Sequence, residues 1–364
     1  MTTYLRVNIK SMDLNDTPTS LLKTIGHTPM IPLDKFFHSS PIRIFAKVEC
    51  YNPGHSMKDR VALHVIEEAE KNGTLRPGST IVETTSGNTG YSIAMVCAVK
   101  GYKCIVAVNS KCAQEKLDVL RAMGAEVHVC PANVPPEHPD SYYSTGARLA
   151  KEHPGSIYIN QYFNPKNSES YYLTAGPEIW KQTQGKITHF FACSGTGGTI
   201  SGIGRYLKEQ NPDVEVIGVD AVGSILKKYK ETGVIDPGEL QPYRMEGVGK
   251  NMIPTATDFS VIDRFVKVND FESAHVARML PLVEGLMCGY SSGAALAAVI
   301  KEIGNLPADA VPVVLLPDHG ERYMTKVFND NWMQTQEWLN DFTPQVKAFL
   351  LELKEHYGVA PTLL

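Results

Sequence analysis

The chain has 364 residues, and its 35 Lys and Arg stand against 39 Asp and Glu for a net charge of −4. Hydrophobic residues make up 43% and charged residues 20%, the balance of an ordinary globular protein, and the length suits a little over two domains at roughly 150 residues each. These figures leave no basic footprint for nucleic acid and no apolar run of roughly 18 residues to span a membrane, and the opening MTTYLRVNIKSMDLND lacks the apolar centre of a secretory signal.

From about residue 42 short apolar runs alternate with helical patterns. Val61 to Lys71 reads as a helix, Ile81-Val82-Glu83 as a strand and Asn88 to Lys100 as a helix. The strands KCIVAV and EVHVC follow, with helices at Gln114 to Met123 and Tyr142 to His153. SIYINQY and ITHFFAC read as strands before helices at Tyr172 to Gln182 and Thr199 to Glu209. EVIGVDA and VPVVLLP are further strands. A helix at Ala294 to Ile303 lies between them, and one at Glu321 to Phe328 follows the second. Val- and Ile-rich strands alternating with helices predict an α/β fold of two open, mostly parallel twisted sheets flanked by helices. Pro-rich polar stretches at 131–140 and 231–243 are the candidate boundaries. At the end of the chain Thr343 and Pro344 suit an N-cap and first helical residue. Val346, Phe349, Leu350 and Leu353 then line one apolar stripe, which predicts an amphipathic helix packed on the chain's own surface or across a dimer. The seven Cys show no C-x-x-C spacing, so they are expected to be reduced, mostly buried thiols of a cytoplasmic protein. No residue is assigned to a metal.

Four glycine- and serine-rich turns carry the chemistry. Ser194-Gly195-Thr196-Gly197-Gly198-Thr199 joins an apolar strand to a helix, so its N–H groups and the helix dipole form an anion site suited to phosphate. Ile200 rules out a dinucleotide fingerprint, and the absence of a Gly-Lys-Ser/Thr ending rules out a Walker loop. Thr85-Ser86-Gly87-Asn88-Thr89-Gly90 is a second strand-end loop, fit for another anion such as a carboxylate. In Asn52-Pro53-Gly54-His55-Ser56-Met57-Lys58-Asp59-Arg60 a lysine sits near a helix N-terminus. The dipole there lowers its pKa and suits it to act as nucleophile or base. Gly289-Tyr290-Ser291-Ser292-Gly293 is an ordinary helix start when taken alone.

In this order the four turns resemble the fold-type II pyridoxal-phosphate enzymes of the cysteine synthase and cystathionine β-synthase family, over roughly residues 18 to 333. Ile25-Gly26-His27-Thr28-Pro29 and Thr174 to Trp180 support the resemblance. It implies a tryptophan synthase β-like architecture, with a large domain of residues 1–45 plus 160–333, a small substrate-side domain of 46–159, and a helical tail over 334–364. It also implies pyridoxal 5′-phosphate as cofactor, with Lys58 as its Schiff-base lysine. Gly195, Thr196, Gly197, Gly198 and Thr199 would hold the phosphate, Asn88 the ring's 3′-oxygen, and Ser291 would face the pyridine nitrogen. Thr85, Ser86, Gly87, Thr89 and Gln161 would bind the carboxylate of the amino-acid substrate, with Tyr162, Glu246 and Gly247 on the side of the second substrate. A neutral serine at the ring nitrogen stabilises a carbanion poorly and so favours loss of a β-leaving group.

The implied reaction is β-replacement on L-serine or O-acetyl-L-serine by a thiol. The stretches 116–126, Asn160-Gln161-Tyr162 and Glu246-Gly247-Val248-Gly249 resemble cystathionine β-synthases, which take homocysteine. Gly320 to Tyr323 and Ser291-Ser292-Gly293 resemble cysteine synthases, which take sulfide. β-Elimination from cysteine with release of sulfide is a third outcome, and a non-catalytic binding protein is a rival of another class. Met57, Thr84, Tyr171, Lys250 and Asn251 depart from the family's usual residues, which leaves the reaction type standing and the substrates open. The resemblance further implies a homodimer acting on small amino-acid and thiol substrates, with no nucleic-acid or membrane partner. Neither a haem segment nor a regulatory domain pair is expected.

Overall fold

β-Branched runs and amphipathic helices take turns along the chain, and they close into two sheets. The computed structural model describes residues 18–85, 87–135, 138–362 and 364. The N-terminal stretch tested for a signal, part of the Pro-rich stretch at 131–140, and Ser86 lie outside the described residues.

The first sheet has six strands. β1 (Met30–Pro32) and β2 (Phe45–Val48) pair antiparallel, and β2 continues in parallel into a sheet ordered β1-β2-β10-β7-β8-β9. Its other members are β7 (His189–Cys193), β8 (Glu215–Ala221), β9 (Arg264–Val268) and β10 (Pro312–Leu316). The second sheet is parallel throughout, in the order β5-β4-β3-β6. It comprises β3 (Thr80–Thr84), β4 (Lys103–Asn109), β5 (Glu126–Cys130) and β6 (Ile157–Tyr158). Strands β3, β7 and β10 are buried along their whole length, as continuous apolar runs covered on both faces require. This is the α/β architecture of two mostly parallel sheets expected from the alternation. β2 runs across residue 46 and hydrogen-bonds within the six-stranded sheet.

The helices are α1 (Lys58–Lys71), α2 (Asn88–Lys100), α3 (Gln114–Ala122), α4 (Tyr142–Glu152), α5 (Lys166–Leu173), α6 (Ala175–Gln182), α7 (Gly198–Gln210) and α8 (Leu226–Thr232). After them come α9 (Asp270–Glu284), α10 (Tyr290–Glu302), α11 (Asp330–Thr335) and α12 (Pro344–Tyr357). One core joins α9, α10 and α12 to one face of the six-stranded sheet. A second takes side chains from both sheets and from α1, α2, α6 and α7, so the two sheets are fastened to each other by shared apolar packing.

Three local expectations need correction. The single helix over Tyr172 to Gln182 is two helices that meet at Thr174. Pro177 has no N–H to give the carbonyl four residues back, and its ring crowds that carbonyl, so the helix restarts. SIYINQY pairs only over Ile157–Tyr158. Asn160 then takes a positive φ of 50° and turns the chain toward the cavity described below. Glu321 to Phe328 holds one 3-10 turn at Gly320–Tyr323 instead of a helix, because Arg322 and Tyr323 turn inward to polar partners. The C-terminal helix is present and packs against α9 and α10. Thr343 does not cap it through its side chain; its hydroxyl donates to Glu272 Oε2 at 3.0 Å. Cys50, Cys97, Cys104, Cys130, Cys193 and Cys288 are free and buried, and Cys112 is half-buried. No helix among the described residues is long and apolar enough to cross a membrane.

Candidate active site

The carboxyl ends of parallel strands from both sheets converge on one cavity of ≈ 540 Å³. Thr85 follows β3, Lys111 lies just beyond β4, Gly195 beyond β7, and Asp318 beyond β10. Ligands in open parallel sheets sit beyond these ends, and the volume suits a small-molecule site. Lys58, Thr85, Gly87, Asn88, Thr89, Gln161, Tyr162, Gly195, Thr196, Gly197, Thr199, Glu246, Gly247 and Ser291 all line it. Of the remaining residues singled out in the sequence, Gly198 opens α7 behind the wall and Ser86 lies outside the described residues.

Lys58 is the first residue of α1, three positions earlier than the helical pattern suggested. It is 9% exposed, and its Nζ makes no hydrogen bond or ion pair among the described residues. The Tyr171 ring centroid lies 6.0 Å from that nitrogen, and the Tyr171 hydroxyl donates to Met57 O at 3.1 Å. Burial, then the positive charge of Lys250, lowers the Lys58 amine to about 8, with Asp318 pulling the other way. Met57, unusual at its position, is held from the other side by the Thr199 hydroxyl, 3.5 Å from its sulfur.

The loop from Ser194 delivers the chain to α7. Gly197 caps that helix at φ 80°, a conformation side chains disfavour. A Cβ there would collide with Thr257, and one at Gly198 with Asn167. A Cβ at Gly195 would stand 2.6 Å from Gly247 O. Tight packing on three sides thus holds the glycine run, while Gly195, Thr196, Gly197 and Thr199 line the cavity and the first turn of α7 leaves N–H groups without intrahelical partners. Ser291, at the start of α10, lines another part of the same space.

Across the cavity, Gly87 caps α2. Thr89 Oγ1 donates to Gln161 Oε1 at 2.7 Å, and the Gln161 N–H donates to Glu83 Oε2 at 3.3 Å. Glu83 is fully buried at the end of β3, and burial outweighs its two backbone hydrogen bonds to push it up to about 8. Asn88 Nδ2 donates to Asp318 Oδ2 at 2.7 Å, and Arg322 Nη1 donates to Asn88 Oδ1 at 2.7 Å. The amide is thereby oriented with one N–H left over. Tyr323 donates a second hydrogen bond to Asp318 Oδ2 at 2.7 Å, and burial raises the Asp318 carboxyl.

At the rim Glu246 takes ion pairs from Lys116 of α3 and from Lys326. A residue beside the four-stranded sheet is thus tied to two from the six-stranded side. Asp318, Arg322, Lys116 and Glu83 were not singled out as site residues in the sequence. Asp318 had a usable signal, its place just beyond an apolar strand. Lys116 and Arg322 fall inside the stretches 116–126 and Gly320 to Tyr323 that carry the resemblance, but their contacts were not legible there, because only the folded chain brings them to residues more than a hundred positions away.

A family model described as pyridoxal-phosphate dependent enzyme matches residues 21–318. The chain is 44% identical over 332 residues to a cystathionine beta-synthase of Apis mellifera, covering 91% of this chain but 65% of that protein, so it spans just under two thirds of that relative's length. Among solved structures, an O-acetylserine dependent cystathionine beta-synthase from Helicobacter pylori superposes with a TM-score of 0.77 at 36% identity, over 85% of this chain and 98% of that one. A hydrogen sulfide-producing enzyme from Fusobacterium nucleatum gives 0.77 at 32% identity, over 84% and 100%.

Proposed function

We infer the function from one premise: the chain belongs to the pyridoxal-phosphate dependent enzyme family. The donor set of the cavity suits that cofactor. A buried amine without a counter-ion, the N-terminus of a 13-residue helix edged by threonines, and a helix-start serine all face one space. When bound, the cofactor supplies an electron sink for the α-carbon of an amino acid. In this reading Lys58 carries it, Gly195 to Thr199 hold its phosphate, Asn88 its 3′-oxygen, and Ser291 faces its ring nitrogen. The reaction proposed is β-replacement on L-serine or O-acetyl-L-serine with homocysteine, giving cystathionine. The bond from the β-carbon to oxygen breaks and one to sulfur forms. The thiol proton leaves with the departing oxygen, as water from serine or as acetic acid from the ester.

The single observation carrying this reading is the unpaired Lys58 amine, held at about 8 inside the cavity. Such an amine takes a proton from a substrate α-carbon and returns it near neutral pH. The N–H groups opening α2, the hydroxyls of Thr85 and Thr89, the amide of Gln161 and the neighbouring Ser86 bind the substrate carboxylate in this scheme. Tyr162, Glu246 and Gly247 border the second substrate. The Lys116–Glu246–Lys326 clasp ties the two sides of the cavity together at its rim, where a narrowed mouth would limit the water that competes with the thiol.

Sulfide as the nucleophile, which would make cysteine, is the second reading, and the likeness to a hydrogen sulfide-producing enzyme keeps cysteine elimination beside it. Comparing kcat/KM for serine and O-acetylserine with homocysteine and with sulfide separates them. Homocysteine is expected to be preferred, and a strong preference for sulfide overturns the choice. A cytoplasmic homodimer without membrane or nucleic-acid partners belongs to the same proposal, with light scattering of the purified protein as its test.

A further inference from the structure

None of the roles above uses Lys250. Its backbone is fixed: the N–H donates to Ser224 Oγ at 2.8 Å, and the carbonyl accepts from Ile225 N at 3.0 Å and Ser224 Oγ at 3.1 Å. Gly249 before it has φ 74°, its N–H donates to Ser194 O at 2.8 Å, and a Cβ would come within 2.8 Å of Ser224. From this anchor beside the glycine loop the side chain crosses toward Tyr162. Its Nζ donates to the Tyr162 hydroxyl at 3.2 Å and stands 4.5 Å from the ring centroid. Tyr162 directly follows Gln161, which the second anion loop holds through Thr89. The ammonium therefore stands on the substrate side of the cavity.

No carboxylate lies within ion-pairing distance of Lys250 among the described residues, whereas Lys116 and Lys326 share Glu246. Six cations line the cavity (Lys58, Lys111, Lys116, Arg244, Lys250 and Lys326) against two carboxylates, Glu246 and Asp318. A phosphate at α7 and a substrate carboxylate at α2 answer part of that excess but leave Lys250 without a counter-charge. A desolvated ammonium with two hydrogens still to give is costly unless an anion meets it. Burial lowers the Lys250 amine, with Tyr143 opposing, and an oxyanion docked there would stabilise its charged form.

We propose that Lys250, with the Tyr162 hydroxyl, forms an oxyanion subsite for the side of the substrate that is exchanged in the reaction. The chemistry is shared by two sources: the carboxylate of the acceptor thiol, and the phosphate of a β-phosphate ester used as donor. The proposal rests on the β-replacement reading and names the substrate class of that site.

The test uses wild-type, Lys250→Met and Lys250→Arg holoenzymes. Acceptors are homocysteine and 3-aminopropanethiol, the same chain without its carboxylate; donors are O-phosphoserine and O-acetylserine with sulfide. Succinate binding to each holoenzyme is followed by calorimetry. In the wild type the oxyanion-bearing partner of one pair is preferred. Lys250→Met reduces that preference about ten- to hundred-fold, the range expected for a charge-assisted hydrogen bond, acting through KM more than kcat. Lys250→Arg retains it. Collapse in the acceptor pair assigns the subsite to the thiol's carboxylate, and collapse in the donor pair to a phosphate. Unchanged preferences in both pairs with unchanged succinate binding overturn the proposal. If the wild type turns over no pair, the β-replacement reading fails by itself. Succinate binding lost in Lys250→Met then still supports the subsite, and equal binding overturns it.

Discussion

Lys58 and Arg60 stand two residues apart in the first turn of the same helix. Both are buried, and their surroundings are opposite. Arg60 donates to Glu49 at 2.8 and 2.9 Å, to Glu178 at 2.7 and 2.8 Å, and to Thr28 at 3.2 Å. Lys47 completes the cluster, donating to Glu178 at 2.6 Å and to Thr28 O at 2.7 Å. Burial alone would raise Glu178, but Arg60 and Lys47 outweigh it and hold the carboxyl at about 2. Two cations and two anions cancel there, every fork of the guanidinium is used, and the cluster joins α1 and α6 to β2. Lys58 has none of this. Its amine is desolvated and unanswered, so it shifts toward neutrality, which is the condition for chemistry. In one helical turn a fully paired charge serves the fold and an unpaired one serves the cavity.

Separating these effects by mutation is the strongest test of the comparison. Lys58→Ala should lower product formation by about three orders of magnitude or more, because nucleophile and base are lost together. In the cofactor-free protein it should cost far less stability than breaking a buried pair, since no pairing is lost and a desolvated, unanswered amine is removed. Glu49→Ala should do the reverse to stability. It leaves the buried Arg60 and Lys47 to share Glu178 as the one remaining carboxylate of the cluster and should cost about 3–5 kcal/mol, read as a lower denaturant midpoint at unchanged m-value. A Lys58→Ala protein that melts like Glu49→Ala, or a Glu49→Ala protein as stable as the parent, would break the division of labour.

The comparison also marks what could be read in the sequence. Strands β3, β4, β7, β8 and β10 were legible because burial on both faces writes continuous apolar runs into the chain, β5 because its apolar and polar residues alternate, and helix α2 because its apolar run is too long for a strand. β9 and α9 were overlooked, although Asn269 and Glu272 form a reciprocal capping box at the start of α9, a pattern the sequence does display. The loop glycines and Lys58 were legible because backbone approach to an anion demands residue types at fixed spacing. Glu49 flanks nothing suggestive, and Glu178 stood out only as part of the stretch Thr174 to Trp180. Their meaning appears only when residues far apart in the chain meet, 118 positions apart for Arg60 and Glu178. Lys250 lies between these cases, visible as an unusual residue in the sequence but interpretable only once its side chain is seen against Tyr162.

The smallest expected effect concerns pH and sharpens the account of Lys58. Its amine falls from an ordinary 10.5 to about 8, by burial first and by Lys250 second. Only the neutral amine attacks the aldehyde of pyridoxal phosphate. Uptake of the cofactor by the cofactor-free protein should therefore quicken about tenfold per pH unit below about 8 and level off above it. Butylamine treated in the same way should keep gaining rate until its own, much higher pKa. The yellow absorbance that appears on uptake gives the rate. Lys250→Met removes a positive neighbour, so the protonated form of Lys58 becomes easier to hold and the break should move to higher pH, by less than the shift that burial causes. A break that stays near 10.5 in the parent would mean that the first turn of α1 is wetter than its packing indicates. A break that ignores Lys250 would mean that the two lysines do not share one field.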